Sequence, residues 1–155
     1  MDQNTQNTVS VIEHAIAETA RYKYDEVWCV FDRDSFSKKQ VTQAHTLMAA
    51  NKFNSAYSDE SFELWYLLHF CYTDAGITRS QYCTKLSEHL GFKYAKNNSA
   101  MYELLLNKQS AAIKNAKRLE ALHPLIRGQE CNSKPITSVF RLVERLNNLK
   151  KKYNI

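Results

Sequence analysis

The stretch EVWCVF, residues 26–31, is apolar at positions of both parities and rich in β-branched and aromatic side chains. Such a run predicts a central strand covered on both faces, the kind found in parallel sheets. It stops at Asp32-Arg33-Asp34, two acids separated by one residue. A parallel strand cannot pair with its neighbour through a hairpin; it needs a crossover. The next residues supply one. Ser37 is an N-cap type residue for a helix over 38–51, with Val41, Ala44, Leu47 and Met48 facing inward. The segment FNSAYS, 53–58, reads as a second strand. Strand, helix and strand make a βαβ unit of the right-handed sort.

The remaining segments read as helices. Val9, Ile12, Ile16 and Ala20 form a stripe at helical spacing over 9–22. SDESFELWYLLHFCY, 58–72, has cap residues at Ser58 and Asp59 and acids in its first turn. Further helices are expected over 79–90, ending at Gly91, over 98–121, ending before His123-Pro124, and over 136–151. HPLIRGQECNSKP, between the last two, is a loop. The expected class is α/β: a small parallel sheet flanked by helices, with a helical C-terminal extension. Residues 1–8 form a disordered tail, 9–78 the α/β core and 79–155 a basic helical extension packed on it. Two strands make a thin sheet. Either another strand hides in a segment read as helix, or something outside the chain completes the sheet.

Composition narrows the class. Hydrophobic residues make up 44% of the 155, with only 3 Gly and 2 Pro, which argues against disorder and against a turn-rich all-β fold. No apolar run reaches membrane-spanning length. The polar start MDQNTQNT is not a signal peptide. Cys29, Cys71, Cys83 and Cys131 form no CxxC pair and read as reduced thiols of a cytoplasmic protein, not as a zinc site. The charge is lopsided. Residues 1–78 carry 6 Lys/Arg against 11 Asp/Glu, whereas residues 79–155 carry 15 against 5. A basic half of this kind is either a solvated helical surface or a surface for a polyanion, most often nucleic acid.

Ligands of open α/β sheets sit beyond the carboxyl ends of the strands, which is where Asp32 and Asp34 fall. One residue apart, they can face the same side of an extended tip. Two carboxylates that close repel unless a cation lies between them. Mg2+ (or Mn2+) takes carboxylate oxygens and keeps waters for a phosphate. The plainer reading makes both acids turn and helix-capping residues beside Arg33. Haloacid-dehalogenase-type phosphatases also end a strand in DxD, but they need a later acidic pair. Glu88, Glu103, Glu120, Glu130 and Glu144 provide none after an apolar strand.

The blocks YDEVWCVFDRDSF, AYSDESFELWYLLHF, AIKNAKRL and KPITSVFRLVERL, spread over residues 23–148, resemble those of the RloB-like family. That family resembles Toprim domains and is associated with bacterial restriction-modification and phage-defence loci. The resemblance implies a Mg2+-dependent nuclease-like site, with Asp32 and Asp34 matching the Toprim DxD. One feature departs from the pattern. The family's N-terminal glutamate, in a block similar to CEGEKTE, has no counterpart before residue 24, and Glu13 and Glu18 lie on an expected helix. The expectation is therefore an N-terminally incomplete Toprim-like nuclease domain, active or inactive. The alternative is a non-catalytic module that binds nucleic acid or protein and keeps the fold without the chemistry.

Glu63 sits inside the apolar block FELWYLLHF. If buried, it needs a partner: the metal held by Asp32 and Asp34, a backbone N–H, or His69. Most of its neighbours, Phe62, Trp65, Tyr66, Leu67 and Phe70, read as core, and His69 as a satisfied core histidine. Ser58, Asp59 and Glu60 would lie next to the first strand's tip and support it. On the basic side, Lys108, Lys114, Lys117, Arg118, Arg141 and Arg145 are the candidates for phosphate contacts, with DNA or RNA as partner. A partner defence protein or a second copy is the other expected partner; a membrane is not.

Overall fold

In a computed structural model, which describes residues 8–34, 36–126, 128–132 and 134–154, the apolar run forms β1, Trp28–Asp32. It pairs in parallel with β2, Asn54–Ser58, in a register that sets Trp28 beside Asn54 and Asp32 beside Ser58. The crossover is α2, Lys38–Ala50, which starts with a capping box between Ser37 and Gln40. Val41, Ala44 and Met48 are buried, and Leu47 packs against them half-buried. The helix α1, Thr8–Arg21, lies beside α2 on the sheet face made by Cys29, Phe31 and Tyr57. Its stripe holds at Val9, Ile12 and Ile16, but Ala20 is exposed. Of the expected disordered tail, residues 1–7 lie outside the described residues, and Thr8 already opens α1.

The second face carries the larger core. Ala56 meets α3 (Glu63–Leu67), α4 (Arg79–Leu90), α5 (Met101–Leu106), α6 (Gln109–Leu122) and α7 (Val139–Tyr153) through Leu64, Leu68, Tyr82, Leu86, Leu105, Leu119 and Phe140. This core joins residues from both the acidic and the basic parts of the chain. Coverage of β1 is incomplete. Val30 remains 44% exposed, so the strand expected to be covered on both faces is closed on one and half open on the other.

Three helix expectations change. The segment 58–72 does not begin as a helix. Ser58 ends β2, Glu60 takes a left-handed φ of 63°, and α3 spans only Glu63–Leu67. Its end tightens into i−3 bonds, Phe70 N to Leu67 O at 2.9 Å among them. The segment 98–121 is two helices, broken where Lys108 N bonds Leu105 O at 2.9 Å. Buried positions 101, 105, 112, 116 and 119 keep helical spacing across that break, so periodicity is blind to it. The last helix starts at Val139, not 136.

Residues 136–138 have another role. Asp59 N bonds Ile136 O at 2.8 Å, Ser138 N bonds Tyr57 O at 2.7 Å, and Ser58 forms an antiparallel bridge with Thr137. The hydroxyl of Ser138 also accepts from Tyr57 N at 2.9 Å. Among the described residues the sheet has two strands; in place of a third, this single bridge and its flanking bonds close the outer edge of β2. The loop before it carries one turn of 3-10 helix, Glu130–Asn132. Among the described residues no helix is long and apolar enough to cross a membrane.

Burial raises the pKa of Tyr57 and of Tyr94, and pushes Tyr82 up to about 12. A phenol in the unfolded chain ionises near ~10. Above that pH the unfolded chain loses these protons first, so stability is full below it and falls as pH climbs toward the folded values. In an alkaline titration, tyrosinate absorbance for these three is expected to rise only together with loss of the helical circular-dichroism signal. Ionisation of every tyrosine with that signal intact would contradict the burial described.

Candidate functional site

The pairing of β1 and β2 continues past the strand ends. Arg33 N bonds Ser58 O at 2.9 Å and Asp34 N bonds Glu60 O at 3.0 Å. Asp34 takes a left-handed φ of 46°, a conformation aspartate tolerates better than most residues. The two acids therefore reach a common side through a turn at Asp34, not through an extended tip. The plainer capping role goes to Ser37, whose hydroxyl accepts from Gln40 N.

What the two acids share is Arg79. Its Nη2 lies 2.8 Å from Asp32 Oδ2 and its Nη1 3.1 Å from Asp34 Oδ1. Its Nε lies 3.9 Å from Glu63 Oε2, an ion-pair distance without a hydrogen bond. Arg79 is placed by the start of α4: Thr78 forms a capping box with Gln81, and the Arg79 backbone N–H donates to Glu60 Oε1 at 3.3 Å. Asp32 Oδ2 also accepts from Phe62 N at 3.4 Å. Glu63, 4% exposed, accepts at Oε1 from the Tyr94 hydroxyl at 3.1 Å. Its partners are thus Tyr94 and Arg79, not a backbone N–H or His69. The His69 ring donates from Nδ1 to Trp65 O at 2.9 Å, and burial lowers its pKa, as befits a core histidine.

The side chains of Asp32 and Asp34 are 25% and 44% exposed, so the pair is bound to a cation but open to water. At such exposure each ion pair contributes about 1 kcal/mol or less. The cluster matters for where charge sits more than for stability. Its donors are hard carboxylate oxygens, two of them already gathered around one cation, which suits Mg2+ or Mn2+ completed by water. The set does not suit zinc. Among the described residues no group of three or more His, Cys, Asp or Glu side chains is arranged for a metal. Asp32 and Asp34 are the pair that could hold one, and Arg79 is its competitor.

Arg33 turns away from this cluster. Its Nη1 lies 3.3 Å from Asp59 Oδ1, while Lys134 lies 3.7 Å from Asp59 Oδ2 and the Tyr57 hydroxyl donates to Oδ1 at 3.2 Å. Burial raises the Asp59 pKa, with Lys134 and Arg33 pulling against it. Asp59 is thus a buried brace under the strand tips. Ser58 bonds the Thr137 hydroxyl, and Glu60 fixes the start of α4.

The basic candidates lie on α6, on α7 and, for Lys108, at the cap just before α6, and are mostly occupied. Lys117 pairs with Glu144 at 2.6 Å, Arg141 with Glu120 at 2.7 Å, and Arg145 with Glu26. Arg118 stacks on Tyr72 and Lys108 lies over Phe70. Lys114 is exposed on α6. Arg79 and Tyr94 were not picked out by sequence. Arg79 is 45 residues beyond Asp34 in chain order, and the one local sign of it is the Thr78 cap at the head of its helix.

Removing the Glu63 carboxylate separates its two partners. Glu63→Gln keeps an acceptor for Tyr94 and is expected to cost less than about 1 kcal/mol, whereas Glu63→Ala strands that hydroxyl and costs about 1–3 kcal/mol. Urea denaturation of both variants checks this; equal costs would mean that Tyr94 does not depend on Glu63.

A family model described as RloB-like protein matches residues 1–146. No curated protein and no solved structure matches the chain. With the match running over most of its length, the chain belongs to the RloB-like family.

Proposed function

We propose that this chain is a Toprim-like domain of a bacterial phage-defence or restriction-associated protein, and that it cleaves phosphodiester bonds with Mg2+ or Mn2+. The observation that carries the reading is the convergence of Asp32 and Asp34 on a single cation at the open end of the sheet. Family membership is consistent with it.

In this reading Asp32 and Asp34 hold the divalent ion. When bound, that ion supplies a Lewis acid and a water of lowered pKa. Arg79 holds the two acids close together and reduces their repulsion. Once released from them, its guanidinium, a planar fork of N–H donors, can take the non-bridging oxygens of the phosphate. Glu63, tied by Tyr94, borders the same space and assists there.

A specific observation favours a second reading. Arg79 already bridges the acid pair, as it would in a non-catalytic module that has replaced its metal with a permanent guanidinium. The upstream acids do not add to the cluster through α1, which packs on the opposite sheet face with Glu13 exposed and Glu18 paired to Arg21.

Calorimetric titration with Mn2+ tests the choice. The wild type is expected to bind, Asp32→Asn/Asp34→Asn to lose binding, and Arg79→Gln to bind about tenfold more tightly, a gain of about 1.4 kcal/mol. Labelled DNA and RNA incubated with Mg2+ should be cut by the wild type and not by Asp32→Asn. Equal Mn2+ binding by wild type and the double variant removes the metal site; no Mn2+ binding and no cleavage by the wild type leaves the non-catalytic module.

A further inference from the structure

Next to the acidic cluster is a cavity of about 220 Å3 that shares Glu63 as a wall. From it we infer a binding subsite for one unpaired nucleobase, which makes single-stranded nucleic acid the substrate class. The assignment of the neighbouring phosphate rests on the proposed phosphodiester site, but occupancy of the cavity does not require a metal.

Aromatic rings make up much of the cavity wall. Phe62 and Tyr66 stand edge to face at 5.2 Å, and Tyr66 meets Tyr94 at 6.2 Å. Met101, 4% exposed, is an apolar part of the lining. Aromatic walls accept any base by stacking. The mouth comes from the loop between α4 and α5, with Lys96, Asn97 and Asn98 on its rim. Asn97 takes a left-handed φ of 68°. Asn98 spends its Oδ1 on Ala100 N at 3.0 Å, which leaves its amide N–H groups as donors. Side-chain amides of this kind read base edges.

Electrostatics sets the direction. A buried carboxylate in the wall, Glu63, repels a phosphate inside the cavity, while the neutral base meets no such penalty. The anionic backbone is left outside, between Lys96 at the rim and Arg79 at the acids. The distance is short in chain terms: Phe62, part of the cavity wall, donates its backbone N–H to Asp32 Oδ2 at 3.4 Å. A nucleotide seated here therefore has its phosphate directed toward the acid pair. A base inside a duplex cannot enter such a cavity without being unpaired and turned out of the stack.

Fluorescence anisotropy of the full chain with short fluorescein-labelled oligonucleotides, in low salt with EDTA, tests the inference. Single strands are expected to bind at least about tenfold more tightly than the matching duplex. Lys96→Gln and Tyr66→Leu should each weaken single-strand binding by about fivefold or more. Arg118→Gln, on α6 and stacked on Tyr72 outside the cavity lining, should not. Replacing the strand by one with abasic positions should weaken binding to the folded wild type, a result that needs no variant to fold. Duplex bound as well as single strand, abasic and intact strands bound alike, or no binding of either would overturn the subsite. Strand binding that survives a failed Mn2+ titration would sink the metal site while leaving this inference standing.

Discussion

One guanidinium gathers the acids of this strand tip. Asp32 ends β1, Asp34 sits in the turn after it and Glu63 opens α3; their carboxylates are brought together in a partly desolvated corner, where a cation between them offsets their repulsion. Arg79 meets all three, and its backbone N–H is fixed by Glu60 from the end of β2. The first turn of α4 thereby becomes part of a site that otherwise belongs to the βαβ unit. Both proposed readings of the site rest on that contact.

The sheet that presents the tip is small, and it is stabilised from one side more than the other. Residues 136–138 seal the outer edge of β2 with backbone bonds and with the Ser138 hydroxyl, while the buried Asp59 binds Arg33 and Lys134 below the tips. The opposite side is looser, with Val30 of β1 open at 44% exposure. Chain segments far apart in sequence, around residues 33, 59, 79 and 137, thus converge within one neighbourhood, and the site is held by that convergence of contacts rather than by any single strong pair.

The basic half of the chain reads either as a solvated helical surface or as a surface for a polyanion, and in the fold Lys117, Arg141 and Arg145 each face a glutamate while Arg118 lies flat on Tyr72. Exposed pairs of this kind contribute little to stability. Near the acids, Arg79 lies on the cluster and Lys96 lines the adjoining cavity.

Local chemistry was legible in the sequence wherever a short span decides the outcome. The apolar run specified β1, Ser37 and Gln40 specified the start of α2, Gly91 in its left-handed conformation ended α4, and the spacing of Asp32 and Asp34 put two acids at the strand tip. The lengths of α3 and α5 escaped it, because Ser58 was needed by the sheet and because the buried stripe runs unbroken across Asn107 and Lys108. Tertiary structure alone decided who neutralises the acids, since Arg79 and Tyr94 reach them through helix placement that no spacing rule encodes. The physical reason is range: caps, turns and periodicity act over a few residues, whereas a buried charge selects its partner from whatever the fold brings within a few ångströms.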